Sequence, residues 1–228
     1  GKYNIESGIN YCDWDGVEAM MKFDDNYKPE RVGILLKVSD LEIVKTWDAL
    51  GLRGSGSNTL IVDEVFVKPD AILRFSKIIE KSQPPYEDFD QNYLYYNTPF
   101  YPGFYVGFPA MALGGARRVL DEFEKHTAGR VRFSGINEKD SPTSQRVLAE
   151  LKMEMLSAEA LMTEYINMME TDKGGPYEGA KYKAIRATII DKCTQIGFKA
   201  LLTLGGHALL KGHPVELFTR DLIAIATH

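Results

Sequence analysis

The sequence predicts an α+β chain: a partial β-barrel-like domain followed by an antiparallel four-helix bundle. Over roughly the first 70 residues apolar side chains recur with a period near two, and from Pro102 onward the period becomes about 3.6. All strands precede all helices, so the two kinds of structure are segregated rather than alternating. The expected boundaries are residues 1–75 for part of a middle β-domain, 76–101 for a junction and 102–228 for the bundle.

Short strands are expected over residues 3–5 and 9–11, and stronger ones over 17–23 and 31–38. The run Gly33-Ile34-Leu35-Leu36 is continuously apolar, as in a strand buried on both faces. Turn chemistry at 13–16, at Asp24-Asp25-Asn26 with Pro29, and at Ser39-Asp40 separates these elements. Residues 59–67 alternate through Leu60, Val62, Val65 and Val67, and Pro69 ends the run. Residues 74–99 are irregular and rich in Tyr and Asn, with Pro84-Pro85, which marks a domain junction.

Three long apolar stripes follow. Ala116, Val119, Leu120 and Phe123 form the first, with Gly129 as its stop. Ser141 as N-cap and Pro142 at the first helical position open the second, which runs Val147, Leu148, Leu151, Met155, Ala158, Met162, Tyr165, Met169. Ile185, Ile189, Cys193, Ile196, Ala200 and Leu204 form the third, closed by Gly205-Gly206. A shorter helix after Pro214 reaches His228 and completes the bundle.

Composition narrows the function classes. Of 228 residues, 44% are hydrophobic and 26% charged, which is a globular balance. The net charge of −5, with no basic arm, argues against nucleic acid as the main partner. Cys12 and Cys193 fit neither a disulfide framework nor a zinc spacing, and read as free thiols of a reducing compartment. No apolar run approaches the ~20 residues of a membrane span. With no signal peptide visible, the cytoplasm is the expected location. The chain opens directly on strand-like alternation, so it reads as a piece that starts inside a domain.

Two segments can carry chemistry. Leu50-Gly51-Leu52-Arg53-Gly54-Ser55-Gly56-Ser57 has three glycines in six residues, lacks the Lys-Ser/Thr ending of a P-loop, and leads into a strand rather than a helix. It is either an elaborate strand connection or a rim around a ligand, with Arg53 supplying charge and Ser55 and Ser57 hydroxyls. Gly205-Gly206-His207 with Pro214 and Arg220-Asp221 reads on its own as a helix C-cap followed by surface charges. His126, His207 and His213 have no metal-like spacing, so structural roles are expected for them.

Taken together, these segments resemble the acyl-CoA dehydrogenase superfamily. Trp47 through Ser57, followed by Val62-Asp63-Glu64-Val65-Phe66-Val67, is similar to the end of that superfamily's β-domain, and Gly205-Gly206 through Arg220-Asp221-Leu222 to its last bundle helices. The resemblance implies a flavin cofactor, FAD or FMN, and two alternative chemistries. One is removal of hydrogen from an acyl-CoA by FAD and a Glu base. The other, in a two-component monooxygenase branch, hydroxylates phenols with reduced flavin from a separate reductase. Arg53-Gly54-Ser55-Gly56-Ser57 is closer to that branch's Arg-Gly-Thr-Gly-Ser, and Leu202 stands where dehydrogenases carry a Gln that helps hold the adenosine half of FAD.

By the same resemblance, Arg53 and Ser57 would lie near the flavin ring with Ser55, and His228 would be the base, its imidazole suited to a phenol proton near neutral pH. Arg130, Phe133 and Gln145 match the spacing of a loop that touches the flavin of a neighbouring subunit, with Ser134 replacing a Gly. Gly205 and Gly206 would border the cofactor, and relatives form homodimers or homotetramers through the bundle. A small-molecule substrate and a flavin reductase are the expected partners; no metal is expected. A catalytically silent paralogue that binds a partner through helix faces is the remaining alternative.

Overall fold

The computed structural model describes residues 1–25, 28–76, 98–171 and 176–228. Contacts divide the chain into a β unit, Gly1–Ala49 with Arg53–Phe100, and a helical unit, Leu50–Leu52 with Tyr101–His228. Most of the expected junction, residues 77–97 including Pro84 and Pro85, lies outside the described residues.

Among the described residues the β unit holds six strands: β1 (Lys2–Glu6), β2 (Trp14–Met21), β3 (Glu30–Lys37), β4 (Glu42–Val44), β5 (Asn58–Ile61) and β6 (Ile72–Arg74). They form two three-stranded antiparallel sheets, ordered β1-β5-β4 and β2-β3-β6. β2 and β3 pair from Trp14↔Lys37 to Met21↔Glu30, a register that puts Val17 and Leu36 on the inward face. There they meet Leu60 of β5 and Ile9 in one small core. Because successive strand residues point to opposite faces, Leu35 faces outward and is exposed. The Gly33 to Leu36 run is therefore buried on one face, not on both.

Two expected strands differ. Residues 9–11 are a turn: Gly8 takes φ +84°, Tyr11 N–H donates to Gly8 O at 2.8 Å, and Ile9 drops into the core. The strand expected over 59–67 stops at Ile61. Glu64 turns the chain with φ +49°, yet Val62, Val65 and Val67 still pack on the core. Apolar alternation there reports burial, not ladder pairing. β4 and β6, three residues each, carry too short a pattern to be seen in advance.

The helical unit contains α1 (Phe100–Tyr105), α2 (Gly107–Gly129), α3 (Pro142–Thr171), α4 (Pro176–Leu204) and α5 (Pro214–Ile225). The three expected stripes make its core: Ala116, Val119 and Phe123 of α2, Leu151, Met155 and Ala158 of α3, and Ile189, Cys193, Ile196 and Ala200 of α4 are all buried. α4 packs on α2, α3 and α5. Helix α5 sits close because Gly197 leaves room for it; a Cβ there would lie 3.0 Å from Thr219 Oγ1 and 3.3 Å from Leu222 Cδ1. Leu222 of α5, like Val215, is fully buried. Truncating such a side chain costs about 2–5 kcal/mol.

Helix ends follow local chemistry. Gly205 at φ +74° closes α4. His213 caps α5, its Nδ1 accepting from Val215 N–H at 3.2 Å, with Pro214 at the first position. The imidazoles of His126, His207 and His213 gather here, ring centroids 5.7–6.3 Å apart. Burial first, then Arg130, His207 and His213, hold His126 below the usual histidine range, with Glu138 opposing. The unfolded chain therefore takes up the His126 proton at higher pH than the folded one, and stability falls with pH below about 6.5. His126→Gln should flatten the fall in Tm between about pH 7 and about pH 5, measured by thermal melts; equal slopes for both proteins would exclude His126 as its source.

Candidate functional site

The glycine-rich segment is a clasped loop. Asn58 Oδ1, at its far end, accepts from Thr46 N–H at 2.9 Å and Trp47 N–H at 3.0 Å, at its near end. Asn58 Nδ2 donates to Asn10 Oδ1 at 3.2 Å, which ties the clasp to the turn after β1. The turn fits only because of Gly56, at φ +54°, where a Cβ would come within 2.5 Å of Asn10 Nδ2. Gly8 N–H also donates to Ser55 O at 2.8 Å.

Two hydroxyls of the loop line up with that of Ser7, in the turn after β1. Ser57 Oγ lies 2.8 Å from Ser7 Oγ and 2.7 Å from Ser55 Oγ. Ser57 is 2% exposed and engaged on both sides, whereas Ser55 is half-buried. Arg53 opens a short 3-10 turn with its side chain 61% exposed, 3.9 Å from an Asp48 carboxylate that is 96% exposed. So loose an exposed pair contributes ~0–1 kcal/mol and leaves the guanidinium able to meet an anion.

Leu50–Leu52 belongs to the helical unit. Leu52 N–H donates to Asp221 Oδ1 at 2.7 Å, and Arg220 Nη1 donates to Leu50 O at 2.7 Å. A Cβ on Gly51 would fall 2.1 Å from Arg220 O, so only glycine allows this approach. Leu52 sits at φ +51°, an uncommon conformation for a branched side chain, while packing on the bundle core. Arg220 is braced by Glu216 at 2.5 and 3.3 Å. The Arg-Asp pair is thus not a pair of surface charges.

The loop after α2 is a small hairpin. Val131 and Asn137 bridge, and Gly135 turns at φ +80°. Buried Glu138 organises it, accepting from Arg132 Nε at 2.8 Å and Nη2 at 2.6 Å, and from Ser144 Oγ. Arg132 and then Ser144 hold the Glu138 carboxyl down at about 2. Arg132 also donates to Ser141 Oγ at 2.9 Å, so the expected capping hydroxyl is tied to the loop. Phe133, at the tip, is 111% exposed and packs against neither Arg130 nor Gln145. Arg130 stands 4.0 Å from Glu138, and Gln145 Nε2 donates to Lys139 O at 3.1 Å. Arg130 also borders a cleft of about 340 Å³ with Glu122, Lys125, His126, Gly129 and His213.

His228 stacks on Phe108, centroids 4.9 Å apart and planes at 27°. Phe108 continues to Tyr105 at 6.0 Å, over which Arg186 lies at 4.5 Å. Space is open where a Cβ would project from Gly205 or Gly206, and Leu202 is 77% exposed. Cys193 is a core residue whose thiol burial pushes up to about 12. In the β unit Glu6 rises to about 7, by burial first and then by Asp15 and Glu18. Among the described residues no group of three or more His, Cys, Asp or Glu is arranged to hold a metal, and no helix is long and apolar enough to cross a membrane. Sequence reading missed Ser7, Asn58, Phe108 and Glu138, since each acts through a partner remote in sequence or on another element.

Residues 106–228 match the family described as acyl-CoA dehydrogenase, C-terminal domain, and the chain belongs to that family. The whole chain is 27% identical to the flavin-dependent monooxygenase oxygenase subunit HsaA of Rhodococcus jostii, and covers 61% of it. It is 29% identical over 164 residues to the oxygenase component of p-hydroxyphenylacetate 3-hydroxylase from Acinetobacter baumannii, 71% of this chain and 38% of that protein. The fold matches XiaF from Streptomyces sp., solved with FADH2 and glycerol, with TM-score 0.87 and 18% identity over 100% of this chain and 59% of that one. The chain thus spans about 60% of the length of relatives it matches from end to end.

Glu138→Gln removes the charge that both Arg132 bonds address and should cost about 2 kcal/mol. In the wild type the same contribution, present above the ordinary carboxylate value of 4.5, is lost as pH falls toward about 2. Thermal melts of both proteins at neutral pH and near pH 3 measure it: the gap between them should narrow in acid. A constant gap would show that the charge of Glu138 is not what stabilises the loop.

Proposed function

We propose that the intact protein is the oxygenase component of a two-component flavin-dependent monooxygenase that hydroxylates a small phenolic substrate, using reduced FMN or FAD supplied by a separate reductase. The observation that carries this reading is the end-to-end similarity to an oxygenase subunit of that type. The chemistry of the loop supports it. An exposed Arg53 guanidinium on a clasped loop suits the anionic reduced ring of a flavin, and Ser55 offers a hydroxyl beside it. Ser57 would act from behind as the brace of Ser55. Arg130, with Gly205 and Gly206, would address the phosphate-bearing part of the cofactor, Gln145 would steady that loop through Lys139, and Phe133 would reach a neighbouring subunit in a homodimer or homotetramer. An exposed Leu202 side chain offers no hydrogen bond to an adenosine, which weighs against FAD and leaves FMN open.

When bound, the flavin supplies the oxygen activation. His228 would take the phenol proton through its imidazole, with Phe108 holding the ring by stacking. The free cysteines Cys12 and Cys193 accord with a cytoplasmic setting.

The test supplies the intact protein with reduced FMN or FAD, ¹⁸O₂ and a panel of simple phenols. Hydroxylated product carrying one ¹⁸O supports the proposal. Anaerobic bleaching of bound FAD by acyl-CoA thioesters, with no labelled product, would make the protein a dehydrogenase instead. His228→Asn should lower turnover by about 10²-fold or more with flavin binding retained.

A further inference from the structure

We infer that Arg220 and Asp221 of α5 are positioning residues for the glycine-rich loop: they grip the main chain of Leu50–Leu52 and so set where Arg53, the next residue, begins. This rests on the reading that Arg53 faces the flavin. Three observations converge on the grip. Asp221 takes the Leu52 N–H, Arg220 donates to the Leu50 carbonyl, and Gly51 presses so close to Arg220 O that no side chain fits. All three act on backbone atoms, so they locate the chain itself, not a mobile side chain. They also join residues 169 and 170 positions apart in sequence, so local structure cannot supply them.

The grip is built to be stiff. Arg220 uses Nε and Nη2 on Glu216, one turn earlier on the same helix, and keeps Nη1 for Leu50. α5 is itself fixed by its His213 cap and by buried Leu222 between Gly115 and Gly197. On the loop side Leu52 is held at a positive φ. A non-glycine residue persists there only where its surroundings over-determine it. Release of the Asp221 bond would let Leu52 relax to an ordinary conformation, and the direction in which the chain enters Arg53 would change.

The experiment is a double-mutant cycle read by anaerobic titration of the intact protein with reduced FMN and reduced FAD. Arg53→Ala tests the reading beneath the proposal. Asp221→Leu, which removes the acceptor, should weaken flavin binding about tenfold. Asp221→Asn keeps an acceptor oxygen and should return affinity to within about twofold of wild type. If Asp221 acts through Arg53, the Asp221→Leu/Arg53→Ala protein binds no more weakly than Arg53→Ala alone. Arg220→Met, which releases Leu50, enters the same cycle should Asp221→Leu fail to fold. Additive losses, or full affinity in both Asp221→Leu and Arg220→Met while Arg53→Ala binds weakly, would overturn the positioning role and leave the flavin reading standing. Full affinity in Arg53→Ala would overturn both.

Discussion

The missing side chain at Gly51 is the constraint on which the candidate site depends. Only there can a tripeptide from the strand-rich part of the sequence lie directly on the backbone of the last helix. The approach brings the Leu52 N–H and Leu50 carbonyl to Asp221 and Arg220, which take the place of water as their partners. A buried or half-buried peptide group left unpaired costs about 1–3 kcal/mol, so the two bonds are a condition of the packing rather than an addition to it. The positive φ of Leu52 is tolerated for the same reason: the contacts that require it are worth more than the strain.

Two buried polar side chains organise the other loops of the candidate site, Asn58 through backbone amides and Glu138 through side-chain donors. Asn58 closes the glycine-rich loop by accepting from two consecutive amides across its mouth. Glu138 closes the loop after α2 by receiving a forked pair of bonds from Arg132 and a third from Ser144. Both are buried, and each shapes a connection that carries exposed side chains, Arg53 among them in one case and Phe133 in the other. Preorganised groups of this kind can meet a ligand without first losing conformational entropy.

Much of the fold was legible before any coordinates. A long helix repeats its burial pattern many times, so the stripes ending at Phe123, Met169 and Leu204 averaged out local exceptions and located α2, α3 and α4. Strands repeat too few times for that. The three-residue strands β4 and β6 gave no signal, and the alternation through Val62, Val65 and Val67 marked residues that pack on the core without pairing. Ile9 shows the same limit: its burial is real, but a glycine turn, not a ladder, puts it there. At the candidate site, residue types singled out the glycine-rich segment and Gly205-Gly206, since glycine density and a lone Arg are local properties. Their partners were not local, and Arg220-Asp221 therefore read as surface charge.

By itself the sequence determined the order of strands before helices, the faces of the three long helices, the breaks at Gly129 and Gly205, and the family to which the chain belongs. These follow from periodicity, backbone freedom and short motifs, all confined to neighbouring residues. The tertiary structure alone decided that His126, His207 and His213 meet at one helix end, that Ser7 completes the hydroxyl row of Ser55 and Ser57, and that α5 grips Leu50–Leu52. Each of these joins residues far apart in the chain, and such contacts exist only once burial of apolar surface has brought their elements together.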